Sequence, residues 1–419
     1  MTANVRNLRT AAEDGLIAAL GALSATPARE RALARLLAEG LPHRRVEAWK
    51  YFDLRAILRD FAPPAGPAAK APAMHAPFGD LATVTLTFVD GRLVSMPSTL
   101  PAGLVVRRLA EGAADLGRLA GELGDTVADL AGAFATDGVI VEVRPGATIE
   151  TPLLVDFQAS GAAVSMSPRL FVTLGEGASL HLLEAHRGQS GAYQVNGLVE
   201  VIVGANATLD HVKLQAQSRD ALHLATAVAE VHAGGHYRAF ALEEGAAHCR
   251  RQFHMRYAGE NAKVTLLGAT LAAGRQHLDT TLVVDHAVPN GVSREMFKII
   301  LADEARAVFQ GKIVVRPKAQ KTDGQMRANA LMLNEGPEFD AKPELEIFAD
   351  DVVCAHGATA GTLDEDLMFY LGARGIPDRE AKALLATAFV GEALEEVENE
   401  TVRAALSRRV SDWLEAHLG

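Results

Sequence analysis

The sequence predicts a mainly-β solenoid of stacked coils with a helical region at each end, and three observations carry this prediction. The first is a repeat. VRPGATIETPL, VTLGEGASLHLL, VIVGANATLDHV, VHAGGHYRAFAL and YAGENAKVTLL each run strand, Gly-containing turn, small residue, strand. Their small residues Ala147, Ala178, Ala207, Gly235 and Ala262 lie 31, 29, 28 and 27 positions apart. A coil of that length cannot bury its own apolar face, whereas stacked coils share one continuous core. The second observation is that residues from about Ala82 to Val353 alternate β-branched or apolar residues with polar ones and show no helical spacing. The third is that apolar residues at both ends do recur at helical spacing. An antiparallel sandwich is the competing reading of the strand pattern, since it also places turns every 8 to 12 residues or so.

Taken in order, residues 1–80 form an N-terminal helical region. Leu16, Leu20 and Leu23, then Leu33, Leu36 and Leu37, mark two helices. Leu41-Pro42 breaks the pattern, and Trp49, Tyr51, Phe52, Leu54 and Leu58 then form an aromatic–aliphatic cluster suited to docking on the next layer. The Pro/Ala-rich stretch 63–77 reads as a linker or exposed loop. Residues 81–362 form the solenoid, with ILADEARAVFQG around Ala305 as a later copy of the repeat. Residues 363–419 return to helix. Asp364 caps a segment carrying Leu367, Phe369, Tyr370 and Leu371, and Gly372 and Gly375 stop it. Two further helices carry Ala381, Leu384, Leu385, Ala388 and Phe389, then Val402, Leu406, Val410, Trp413 and Leu414. They are expected to pack on the solenoid end or to bind a partner helix.

Composition narrows the function. The 419 residues carry a net charge of -11, which argues against nucleic acid or an anionic membrane surface as partner, because phosphate contact needs clustered Lys and Arg. Two cysteines, Cys249 and Cys354, make neither a disulfide framework nor a CxxC zinc pattern, so a reducing, cytoplasmic compartment is expected. The first residues show no signal-peptide pattern, and no apolar run approaches the roughly 20 residues that span a bilayer. There is no GxxxxGK[ST] and no GxGxxG opening a helix, so if ATP is used here another subunit must supply that chemistry.

Three segments carry possible site chemistry. HLDTTLVVDH brings His277, Asp279, Asp285 and His286 close in sequence. On a strand the first two share a face and the last two oppose each other. They are half a metal site or, more simply, hydrogen-bonded groups inside the stack. HCRRQFHMRY sets Cys249 beside Arg250, Arg251 and His254, and basic neighbours lower a thiol pKa, although a lone strand cysteine is usually a small buried hydrophobe. The strongest segment is DDVVCAHGATAG. Cys354 and His356 stand two apart and project from one face of an extended chain, and thiolate with imidazole suits iron and iron–sulfur species. Two ligands do not hold a cluster, so the others have to come from elsewhere.

The stretch Phe309 to Ile376, with KPELEI, ADDV, C-x-HGAT-x-G and the LD…L-FYL-x-x-RGI tail, resembles the SufB/SufD family of the SUF iron–sulfur cluster assembly system, on its SufD side. The QHLD…T…V.H segment, the helix near Ala381 and EAWKY (Glu47 to Tyr51) extend the resemblance over most of the chain, with residues 60–135 least distinctive. The resemblance implies a right-handed parallel β-helix flanked by helical regions and a non-catalytic scaffold role. It implies pairing with a SufB-like paralogue through the β-helix and docking of a SufC-like ABC ATPase on the C-terminal helices. It also implies that His356, with Cys354 two residues before it, meets iron or a nascent iron–sulfur cluster at the SufB interface, with no permanently bound cofactor. SufB-like chains carry an acid–His–acid motif here and a cysteine before an earlier strand, where this chain reads Gln325-Met326-Arg327-Ala328-Asn329. A homodimer would satisfy the same β-helix pairing with two copies. A purely structural partner without metal contact is the alternative role. A β-helix polysaccharide lyase is disfavoured by the 5% aromatic content and the absence of a secretion signal.

Overall fold

Strands that pair with the next but one, always in parallel, wind the middle of the chain into a right-handed solenoid. The architecture is that of a computed structural model describing residues 9–67, 70–113, 115–135 and 137–418. Each coil gives one strand to each of two ten-stranded sheets. Sheet B takes Ser179–Gly188, Thr208–Ala216, His236–Glu243 and onward to Val353–Gly361. Sheet A takes Gln194–Val203, Leu222–Val231, His248–Tyr257 and onward to Glu338–Ile347. Parallel pairing of successive coils rules out the sandwich.

The repeat has a stereochemical cause. A left-handed residue precedes each small one: Gly146, Gly177, Asn206, Gly234 and Asn261 have φ between 54° and 70°. The small residue is then squeezed between coils, and its carbonyl accepts the N–H of the next corner. Ala147 accepts from Ser179 (2.9 Å), Ala178 from Thr208 (2.8 Å), Ala207 from His236 (2.8 Å) and Gly235 from Lys263 (2.8 Å). Ala262 passes the series to Val292 (3.1 Å), so the sixth copy is Asn290-Gly291, with Asn290 at φ 60°. Ala305 is not in this series. It sits at the opposite corner of the coil, where it accepts from Glu338 (3.0 Å).

Side chains alternate between lumen and exterior. Leu180, Leu209, Tyr237 and Val264 stack in register inside sheet B and belong to one continuous buried cluster. Each such Leu or Val contributes about 1.5–3 kcal/mol relative to exposure. One interior glycine makes room for a neighbour: the sulfur of Met326 crosses the lumen to the place a Cβ on Gly311 would occupy.

The two ends differ. At the start, Val84–Val89 and Arg92–Ser95 pair antiparallel at the edge of sheet B, and Leu104–Arg108 lies antiparallel to Gly138–Val143 at the edge of sheet A. Two helices, Arg118–Leu123 and Thr126–Phe134, lie between these strands, in a region whose sequence pattern suggested strands only. Asp125 caps the second (2.8 Å to the Ala128 N–H), and its buried face packs with the N-terminal helices Ala11–Gly21 and Pro27–Glu39 over sheet A. At the other end, Glu338–Ile347 and Val353–Gly361 have no following strand.

The C-terminal helices Asp378–Leu394 and Glu400–His417 cover the broad outer face of sheet B rather than its end. Val390, Leu394, Val402, Leu406 and Leu414 pack there on Leu183, Leu214, Phe240, Leu267 and Ile300. Helix Glu365–Ala373 contains no buried residue. Among the described residues, no helix is long and apolar enough to cross a membrane.

Candidate functional site

Cys354 and His356 lie on Val353–Gly361, the last strand of sheet B, so their position follows from the way the solenoid stops. In register, Cys354 stands over Gly324 and Ser293, and His356 over Met326 and Glu295. Met326 is a lumen residue, so both side chains belong to the inward face of a coil that nothing covers. The two residues share a face as their spacing requires. Cys354 is half-buried against the core, whereas His356 is exposed. Burial pushes the Cys354 thiol up, opposed by a backbone hydrogen bond from Gly324 and reinforced by Asp323 and Glu295. The thiol is therefore protonated at neutral pH unless a cation displaces its proton.

The backbone here is as exposed as the side chains. The Val353 N–H donates to Thr322 O (2.9 Å), so alternation turns the N–H and C=O groups of Cys354, His356, Ala358 and Ala360 toward the open edge. This strand carries no charge and no proline. Its companion Glu338–Ile347 is better defended. Its Glu338 and the following Phe348 donate inward (3.0 and 2.9 Å), so Pro343 stands where an N–H would face the edge and removes that donor. Phe348 (58% exposed) and Val353 (64%) leave apolar surface beside both strands.

The other two segments resolve as packing. Cys249 is fully buried, and its thiol is driven well up by burial and then by Glu243. Arg250 points to the opposite face, where it bonds Asp279 (2.8 Å), and Arg251 is engaged by Glu243 at 3.5 Å. The basic neighbours thus do not activate Cys249. The HLDTTLVVDH residues do not converge either. Asp279 serves Arg250, His277 packs on Phe52 (5.0 Å between ring centres), Asp285 pairs with Arg316 (2.8 Å), and His286 bonds Ser293 (3.2 Å) inside the lumen. Among the described residues, no three His, Cys, Asp or Glu side chains are grouped to hold a metal ion.

Two features had no clear sequence signal. The first is a charged cluster inside the lumen: Glu184 contacts His186 (2.5 Å), His211 (3.3 Å) and Lys213 (3.3 Å), and Lys213 reaches His223 (3.2 Å). Burial opposes the charge on Glu184, but Lys213 and His186 outweigh it and hold the carboxyl well below its usual range. The residues come from adjacent coils at inward positions, a juxtaposition that only the coil register reveals. The second is the exposed face of helix Glu365–Ala373, where Leu367, Phe369 and Tyr370 are 48%, 79% and 52% exposed. Apolar residues at helical spacing left open whether this helix packs on the solenoid or binds a partner, and the fold leaves them bare.

Comparison with known proteins agrees with this architecture. Residues 157–389 match the model of the SufBD core domain of the SUF iron–sulfur cluster assembly system, and residues 12–155 match the SufBD N-terminal region. A SufBD family iron–sulfur cluster assembly protein of Synechocystis is 30% identical over 88% of this chain and 87% of its own. The iron–sulfur cluster assembly protein SufD of Escherichia coli is 31% identical over 93% of each chain. The stacked coils, the helical regions at both ends and these matches together place the chain in the SufB/SufD family of the SUF iron–sulfur cluster assembly system.

Proposed function

We propose that the chain is a non-catalytic scaffold subunit, of the SufD type, that pairs with a SufB-like paralogue through the end of its solenoid and docks a SufC-like ABC ATPase on its C-terminal helices. The open, uncharged edge of Val353–Gly361 carries this reading. A long bare edge is a template for another strand, and this one carries neither charge nor proline. The bare Leu367, Phe369 and Tyr370 supply the apolar anchors suited to a second partner. No nucleotide-binding motif is present, so ATP-driven movement belongs to that partner. Domain limits near 80 and 362 divide the labour into N-terminal cover, solenoid and docking helices.

The test is co-purification from cells, with a charge introduced at the edge. Ala358→Asp should abolish capture of the SufB-like chain while leaving capture of the ATPase intact. Retention of both would overturn the reading.

A finer reading places cargo iron or a nascent cluster against His356 and Cys354, at an interface where the partner supplies the remaining ligands. It is favoured by the shared face of the two side chains at the open mouth. Imidazole ligates as the neutral ring and the thiol loses its proton, so loading weakens as pH falls. His356→Ala should assemble with both partners yet lower the iron and sulfide content of the complex. Undiminished content would leave a purely structural partner without metal contact.

A further inference from the structure

The last coil lacks a neighbour on one side, yet its two strands are not held alike. Val353–Gly361 leans on one preceding strand. Glu338–Ile347 ends a polar column on the outer face of sheet A, in which Thr226, Gln252, Thr281, Gln310 and Lys342 stand in register on five successive strands. Gln252 Nε2 donates to Thr226 Oγ1, and Gln310 Nε2 to Thr281 Oγ1, both at 3.3 Å.

Across this column runs the segment Glu47 to Phe52, nearly three hundred residues earlier in the chain. The Ala48 carbonyl accepts from Arg250 Nη2 (2.6 Å) and from Gln310 Nε2 (3.3 Å). The Arg250 guanidinium lies 4.0 Å from the centre of the Trp49 ring, and Phe52 packs on His277. Glu47 then forms an ion pair with Lys342 on the end strand itself. One short segment therefore touches four consecutive coils. In a solenoid, where each coil otherwise meets only its neighbours, such a lateral tie is the way an end coil gains support from the interior.

We infer that Glu47–Phe52 is a latch that holds the end strand Glu338–Ile347 in register and so couples the N-terminal helices to the open end of the solenoid. Trp49 on Arg250 is the anchor, because the cation is desolvated there, and Glu47 on Lys342 is the tip. The value of the latch for partner binding rests on the reading of the open end as a docking surface. By linkage, a partner that orders the end strand also tightens the latch.

Hydrogen exchange of the full chain without any partner tests the latch independently of that reading. Trp49→Leu removes the anchor three strands away from the end strand. It should speed exchange across 338–347 about tenfold while changing 353–361 and 248–257 less than about twofold. Lys342→Met, at the tip, should speed exchange in 338–347 and also in 47–52. Unchanged exchange at 338–347 in both variants overturns the inference. So does a uniform rise from 248 to 361, which would signal general destabilisation. If the exchange pattern holds and wild-type chain fails to capture a SufB-like partner, the docking reading falls and the latch stands.

Discussion

His277 and Glu295 respond to pH with opposite signs. Burial, then Arg306, His248 and Arg250, push His277 down to about 3. The unfolded ring takes up a proton near pH 6.5 that the folded ring refuses, so this contribution is complete above pH 6.5 and is lost as pH falls. His277→Gln should remove up to about 2 kcal/mol of the stability loss between pH 7 and pH 5, read from urea midpoints. Glu295 is fully buried, and burial raises it to about 8 against the smaller opposing effects of the Ser293 hydroxyl and Arg294. Its unfolded form ionises above pH 4.5 while the folded one stays neutral, so here stability is lost as pH rises from 4.5 to 8. Glu295→Gln should stabilise the protein by at most about 3 kcal/mol at pH 7 and by much less at pH 5. A melting temperature that shifts equally at both pH values would contradict this. The pairing of Cys354 with His356 was legible from spacing alone, because strand alternation guarantees a shared face. The inertness of Cys249 was not. The sequence neighbours Arg250 and Arg251 look activating, but alternation sends one outward, and the acid Glu243 from the neighbouring coil holds the other.

The C-terminal helices divide into two that are buried on sheet B and one that is bare. Leu406 is fully buried between helix and sheet, so Leu406→Ala should cost about 2–5 kcal/mol. Phe369→Glu should change stability by no more than about 0.5 kcal/mol, yet abolish co-purification of the ATPase. Retained ATPase would move the docking site elsewhere. Leu367, Phe369 and Tyr370 read identically to core residues in sequence, because periodicity identifies an apolar face and not what covers it. The repeat, by contrast, was readable from Gly, Asn and small residues, since the left-handed corner restricts which side chains fit. Arg118–Leu123 and Thr126–Phe134 are hard to read in the sequence because they interrupt strands before the repeat is established. Asp125 was their one clear marker.

At the scale of the molecule, the right hand and the parallel pairing followed from the family resemblance and the coil period from the residues themselves, while the division of each coil between two sheets had no marker in the sequence. What no sequence pattern conveyed is the route of the chain's beginning across the outer face of sheet A to the last coil. That contact joins residues Glu47 and Lys342, which no local rule relates.

The antiparallel hairpin at the first coil has a consequence for stoichiometry. The hairpin puts a short antiparallel strand, Arg92–Ser95, at the outer edge of sheet B in place of a full-length parallel one, so this edge offers an added strand far less to pair with than the last coil does. Deleting residues 84–95 would bare the edge of Thr148–Ala159, leaving a long parallel edge strand at that end of the solenoid as well. Light scattering of that variant should show mass growing with concentration into open-ended polymers, which the intact chain should not form. The hairpin is thus the molecule's chain terminator, in the polymer chemist's sense.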